Sequence, residues 1–182
     1  QDVDICNIDG GGDPGSHDLS SKLLWDRFHQ DIRAHKFQVV FMGTPCNTFS
    51  RARDGPPGPR PLRSLEQIFG FPRSQLEPSE VEELRLGTYF AVMSARTAWL
   101  ALEAGAGFIV ENPQPWPGAP SLFALPQFQE LAADPRVRTL DFDQCRFEAE
   151  TTKPTRLLRA GVSLEHMALR CNHPKRMWNW TT

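Results

Sequence analysis

The sequence predicts an α/β domain in which a mostly parallel sheet is flanked by helices. Two hydrophobic runs point to it. Phe37-Gln38-Val39-Val40-Phe41-Met42 breaks abruptly into Gly43-Thr44-Pro45-Cys46-Asn47-Thr48-Phe49-Ser50, and Phe108-Ile109-Val110 breaks just as abruptly into Glu111-Asn112-Pro113. Such breaks mark the carboxyl ends of buried strands, where ligands and catalytic groups collect in open α/β sheets. The third observation is the apolar stripe of a long helix between the two runs, which gives the strand–helix–strand order of a parallel crossover. With 182 residues, 40% of them hydrophobic and 23% charged, the chain has the size and composition of one globular domain. The core is expected over about residues 1–160, with an irregular tail over 161–182.

Along the chain, Val3-Asp4-Ile5 reads as a short strand. The turn-prone stretch Asp9-Gly10-Gly11-Gly12-Asp13-Pro14-Gly15 follows, without the glycine spacing of a dinucleotide site, and reads as a surface loop. From Ser20 to about His35, Leu24, Trp25, Phe28 and Ile32 recur at helical spacing, with Ser20 or Ser21 as the cap. The strand ending at Met42 comes next. Residues 51–78 hold many of the 16 prolines, which lack the amide donor and exclude regular structure; so long a loop, starting just after Cys46, reads as a lid over a site. Ser79 with Glu82 forms a capping box for a helix carrying Val81, Leu84, Thr88, Ala91, Val92, Ala95, Trp99 and Leu102 on one face, and Gly105 stops it. After the strand at Phe108–Val110 come a proline-rich loop, a short helix over 122–133 and a strand over Val137–Phe142. Thr151–Leu158 is expected at a sheet edge because Pro154 disfavours a central position.

Charge and cysteine usage narrow the setting. The net charge of −2 is unevenly placed: Arg51, Arg53, Arg60 and Arg63 crowd one segment, and Glu77, Glu80, Glu82 and Glu83 crowd the next. The arginines suit phosphate contacts, or a solvated loop. Four widely spaced cysteines, Cys6, Cys46, Cys145 and Cys171, lack the density of a disulfide scaffold and indicate a reducing, intracellular compartment. No apolar stretch is long enough to span a membrane. The chain opens on Gln1 rather than methionine, as a processed or excised chain does.

A cysteine attacks as its thiolate, so a catalytic one needs a polar or positive setting and access to solvent. Cys46 has Arg51 and Arg53 close in sequence, and a carboxylate from a neighbouring strand end can hold an electrophilic ring while the sulfur adds to it. Cys171-Asn172-His173, with Cys145 and His166, supplies metal-ligand types, but the spacing matches no well-known zinc module and no metal is expected. Trp178 and Trp180 suit either base stacking or pinning the terminus.

Gly43-Thr44-Pro45-Cys46-Asn47-Thr48-Phe49-Ser50 resembles the Pro-Cys motif of DNA (cytosine-5) methyltransferases, Gly-Pro-Pro-Cys-Gln-x-Phe-Ser, and Glu111-Asn112-Pro113 resembles their Glu-Asn-Val motif. The resemblance covers roughly residues 1–115 and implies a Rossmann-like fold that binds S-adenosylmethionine. It also implies that Cys46 adds to carbon 6 of a flipped cytosine while Glu111 binds the exocyclic amine and ring nitrogen 3. Asp4, with Ile5, is similar to the ribose-binding carboxylate, and Asp18, with Leu19, to the adenine-contacting acid; Pro45 shapes the turn. Asn47 takes the family's glutamine position, and Arg51, Arg53, Arg60 and Arg63 would face DNA. Gln144-Cys145-Arg146 echoes the Gln-x-Arg-x-Arg motif and brings Arg146 to the DNA.

The family's glycine-rich motif and first strand are missing from these residues, Pro113 replaces valine, and no segment has the size of a target-recognition domain. Asp143–Phe147 and Lys153-Pro154-Thr155-Arg156 look like a divergent branch found in phage and mobile elements. Two further readings stand beside methyl transfer. One is a non-catalytic nucleic-acid-binding module that keeps the fold; the other is a cysteine hydrolase using Cys46 with His17 or His29, which lacks an obvious oxyanion site.

Overall fold

The structure is a computed structural model that describes residues 19–53 and 58–173. The expectations on Asp4, Ile5, Asp18, the glycine stretch, His17, Trp178 and Trp180 lie outside these residues. The chain runs through helix α1 (Lys22–Arg33), strand β1 (Val39–Gly43), helix α2 (Pro78–Glu103), strand β2 (Gly107–Pro113), helix α3 (Pro126–Ala133), and strands β3 (Arg138–Asp143) and β4 (Pro154–Ala160). Short 3-10 turns lie between them, including Leu122–Ala124 before α3, Gln144–Phe147 after β3 and Glu165–Met167 after β4.

The helices end where local chemistry dictates. α1 starts after Ser21 and buries Trp25, His29 and Ile32. α2 starts at Pro78, which has no amide hydrogen to leave unpaired in the first turn, so the cap falls at Glu77 rather than at Ser79. There the Glu80 carboxylate accepts from the Glu77 amide at 2.8 Å. At its far end Gly105 takes φ +73°, and the amides of Gly105 and Ala106 close back onto Leu102 (3.3 Å) and Ala101 (2.9 Å). This left-handed stop needs glycine and matches the expected terminus.

The sheet order is β1-β2-β4-β3. β1 pairs with β2 in parallel, whereas β4 runs antiparallel to both β2 and β3. The expected mostly parallel sheet is therefore a mixed one. After β3 the chain reverses through residues 144–153 and returns without a crossover helix, which only an antiparallel neighbour permits. β4 is also central rather than at the edge. Pro154 is tolerated because it is the strand's first residue, opposite Asp143.

One sheet face carries the main core. Met42, Phe108, Val110, Leu158 and Ala160 pack against α2 and the α3 region, with Leu122, Leu125, Phe128 and Leu131 filling the far side. α2 presents Ala91, Ala95, Ala98 and Ala101 here, small enough for the helix to lie close on the strands. The opposite face has a smaller cluster of Leu140, Phe142 and Leu157 under Leu164 and Met167. Gly161 (φ +69°) turns the chain onto that face, where a Cβ would meet the Gly107 Cα at 2.9 Å. Among the described residues no helix is long and apolar enough to cross a membrane.

Candidate functional site

The parallel β1–β2 register sets Gly43 opposite Glu111, so the chain beyond Gly43 and the Glu111 side chain reach the same rim. Cys46 follows three residues on, in a segment anchored from three sides. The Thr44 hydroxyl donates to Ser94 Oγ of α2 at 2.8 Å. The side-chain amide of Asn112, 1% exposed, donates to the Thr44 carbonyl at 2.8 Å. The Phe49 amide closes the turn onto the Cys46 carbonyl at 2.8 Å. Thr48 lies so close to α2 that a Cβ at Gly87 would meet its Oγ1 at 2.5 Å, so a glycine in α2 admits the loop.

The Cys46 sulfur is half-buried, and burial pushes its thiol up. Lys153 pulls it back down, and Glu111 pushes it up through like charge. Lys153 Nζ lies 3.6 Å from Glu111 Oε1, which has no hydrogen-bond partner. Glu111 thus presents a half-buried carboxylate steered only by a weakly seated lysine.

Sequence reasoning assigned no role to Lys153 and none of its own to Asn112. Asn112 was visible inside the Glu-Asn-Pro motif, but its task, tying the end of β2 to the Cys46 turn, depends on strand register. Lys153 has φ +30°, in the left-handed region, immediately before Pro154, a position that normally favours extended backbone. The nearest sequence signal was the Lys153-Pro154-Thr155-Arg156 stretch itself.

The arginines divide. Arg51 is exposed and its guanidinium lies 4.2 Å from the centre of the Trp116 ring, so the loops after β1 and β2 touch. Asn47 is exposed, with its amide 3.4 Å from Glu83 Oε1. Arg53 turns inward, donating to the carbonyls of Asn47 (2.7 Å) and Arg60 (3.0 Å) and pairing with Glu83. Arg60 is exposed but is held by both Glu80 oxygens and the Gln75 carbonyl. Arg63 is 1% exposed, beneath Phe49 at 3.9 Å, and donates to the carbonyls of Ile68 (2.8 Å) and Leu84 (3.3 Å) and to Thr88 Oγ1 (3.0 Å). Burial lowers its pKa to about 10. The expectation that Arg53 and Arg63 face DNA is corrected: both hold the loop onto α2, because the glutamates of α2 and free carbonyls compete for them. Arg146 is half-buried and donates to the Arg170 carbonyl at 3.0 Å.

Of the residues assigned to the methyl donor, Leu19 and Pro45 are described. The Leu19 carbonyl accepts from Trp25 Nε1 at 2.7 Å, and Pro45 is exposed at the rim. These two offer no cradle by themselves. His29 is a core residue, its Nε2 2.9 Å from Thr97 Oγ1 at the α1–α2 contact, where burial lowers its pKa. That position removes it from the hydrolase reading.

A mainly apolar groove of about 610 Å³, lined by Phe69, Leu84, Tyr89 and Val92 among others, runs along α2 and includes neither Cys46 nor Glu111. Compared with family models, curated proteins and solved structures, the chain matches none.

Proposed function

We propose that this chain is a DNA (cytosine-5) methyltransferase-like domain whose own residues activate a cytosine for methyl transfer. The observation that supports it is the parallel β1–β2 register, which brings the turn carrying Cys46 to the strand end carrying Glu111, with Lys153 Nζ 3.6 Å from Glu111 Oε1. Cys46 loses its proton to solvent as its sulfur bonds to carbon 6 of an extruded cytosine, while the Glu111 carboxylate accepts from the exocyclic amine and relays a solvent proton to ring nitrogen 3. The electron pair this places at carbon 5 makes that carbon nucleophilic. When bound, S-adenosylmethionine supplies an electrophilic methyl group. After methyl transfer, loss of the carbon 5 proton to solvent expels the sulfur, and return of the nitrogen 3 proton through Glu111 restores the ring.

Lys153 favours the thiolate over the thiol, and the anchored Thr44–Phe49 turn fixes where the sulfur sits. Both effects act on the addition step. Of the exposed members of the expected DNA-facing set on this loop, Arg60 is held by Glu80, and Arg51 and Asn47 are suited to the backbone on either side of an extruded base.

Duplex DNA carrying 5-fluorocytosine tests the reading, because fluorine at carbon 5 blocks the final elimination. Incubation of the protein with this DNA and S-adenosylmethionine is expected to give a denaturation-resistant adduct that Cys46→Ser abolishes. Binding of both DNA and donor with no adduct would overturn the catalytic reading and leave a non-catalytic nucleic-acid-binding module.

A further inference from the structure

We infer that Cys145, Cys171 and His173 form a binding site for a borderline divalent metal ion of the zinc type. The three residues come from separate parts of the chain. Cys145 sits on the 3-10 turn after β3, and Cys171 and His173 lie in the segment that returns after Glu165–Met167. Their ligand atoms all lie within 4.8 Å of one another. Cys171 Sγ is 3.4 Å from His173 Nδ1. Around a tetrahedral zinc with Zn–S of about 2.3 Å and Zn–N of about 2.0–2.1 Å, a sulfur–nitrogen edge measures about 3.5 Å. Two thiolates and an imidazole are the donors that zinc, rather than magnesium or calcium, prefers.

Contacts independent of any metal hold this arrangement. The Asp143 amide donates to the Leu169 carbonyl at 2.9 Å, and the Cys171 amide donates to Asp143 Oδ2 at 2.6 Å. Arg146 donates to the Arg170 carbonyl at 3.0 Å, and Arg170 lies 3.6 Å from Asp143 Oδ1. The segment 169–171 is thus laid along residues 143–146 before a metal arrives, so little ordering remains to oppose binding. Among the described residues no fourth Cys, His, Asp or Glu joins the group, which leaves the fourth position to a solvent oxygen. His166, the other ligand type noted in the sequence, stands outside it.

A metal here would clip the returning segment to the turn after β3. The Gln144 amide of that turn donates to the Lys153 carbonyl at 3.4 Å, and Gln144 Nε2 donates to Thr155 Oγ1 at 3.1 Å. The clip therefore braces the turn that carries the site lysine. Metal binding is read without DNA or methyl donor, so failure of the methyltransferase reading leaves it standing.

The test is cobalt(II) titration of the reduced full chain. One equivalent is expected to give thiolate-to-cobalt charge-transfer absorption that zinc displaces. Cys145→Ser, Cys171→Ser and His173→Ala should each weaken binding more than about tenfold, and His166→Ala should leave it unchanged. Because Cys145 is buried and its variant can misfold, zinc protection of thiols in the unmodified protein is measured alongside. Cys145 and Cys171 should resist alkylation with zinc and react without it. Absence of stoichiometric cobalt binding, undiminished affinity and band intensity in either cysteine variant, or thiol reactivity that zinc does not alter would each overturn the site.

Discussion

Asn112→Ala is the perturbation that weighs most on the Cys46 turn. Asn112 is 1% exposed, and its one side-chain hydrogen bond runs 2.8 Å to the Thr44 carbonyl, two residues before the sulfur. Removing the amide forfeits a net hydrogen bond of about 1 kcal/mol and leaves a buried carbonyl short of a donor, at about 1–3 kcal/mol. The small void adds a fraction more. A loss of about 2–4 kcal/mol is expected from urea unfolding, or a drop in melting temperature of roughly 5–15 °C for a domain of this size. In the fluorocytosine assay the adduct should form at least about a hundredfold more slowly, since displacement of a nucleophile by about 1 Å costs that much. Asn112→Asp keeps the shape but sets a carboxylate against a carbonyl oxygen. Burial raises that new acid's folded pKa, so the variant's instability is full above it and recedes as pH falls, when the protonated acid can donate to Thr44. Unaltered stability and trapping rate in Asn112→Ala would refute the claim that this contact positions Cys46.

Other perturbations separate structure from function. Arg63→Ala should destabilise by about 2–4 kcal/mol, through the stranded Ile68 and Leu84 carbonyls, and leave the salt dependence of DNA binding untouched in filter binding or anisotropy. Arg51→Ala should do the reverse, flattening the log affinity against log salt slope by about 0.9 with little change in unfolding. Lys153→Gln removes the cation that favours the Cys46 thiolate, so its iodoacetamide alkylation profile should move to higher pH. Glu111→Gln, which removes a like charge, should move it lower. Arg60 holds the Glu80 carboxyl down at about 2 from 4.5. That contribution is complete above pH 4.5 and is lost as pH falls towards 2, so Arg60→Gln should narrow the stability gap between pH 5 and pH 2 in acid melts.

Legibility tracked the physical origin of each feature. β2 was readable because a buried strand is a continuous apolar run with an abrupt end, and α2 because its small apolar residues repeat along one face up to Gly105. β1 shows the same kind of run, but the expectation that it is buried is corrected: it is an edge strand whose Val39 and Phe41 are exposed, with Met42 facing the core. The parallel adjacency of β1 and β2, which brings Gly43 to Glu111, is what a helical crossover between two strands gives. The mixed sheet was not readable: β4 looks like any edge strand with a leading proline, and its central place depends on how residues 144–153 fold back. The inward arginines were half-readable. Basic residues 51–63 and acidic residues 77–83 are consecutive blocks of opposite sign, and Arg53–Glu83 and Arg60–Glu80 pair them. Arg63 had no such cue, because the carbonyls that take it belong to an irregular loop and to the first turns of α2.

The departure from a parallel sheet is what completes the candidate site. Because β4 runs antiparallel to β2, its first residue faces the carboxyl end of β2, with Pro113 paired to Thr155 and Glu111 to Leu157. Lys153, just ahead of Pro154, therefore lands beside Glu111. Had β4 run parallel in the same slot, its start would lie at the amino end of β2. Seven residues of strand at about 3.3 Å each would then set the lysine roughly 20 Å from the carboxylate. The same reversal brings the carboxyl end of β3, and with it Gln144 and Arg146, to the rim that holds Cys46. The parallel first pair brings the thiol-bearing turn to the carboxylate, and the inversion of β4 adds an ammonium 42 residues further along the chain, which no arrangement of the first two strands alone would achieve.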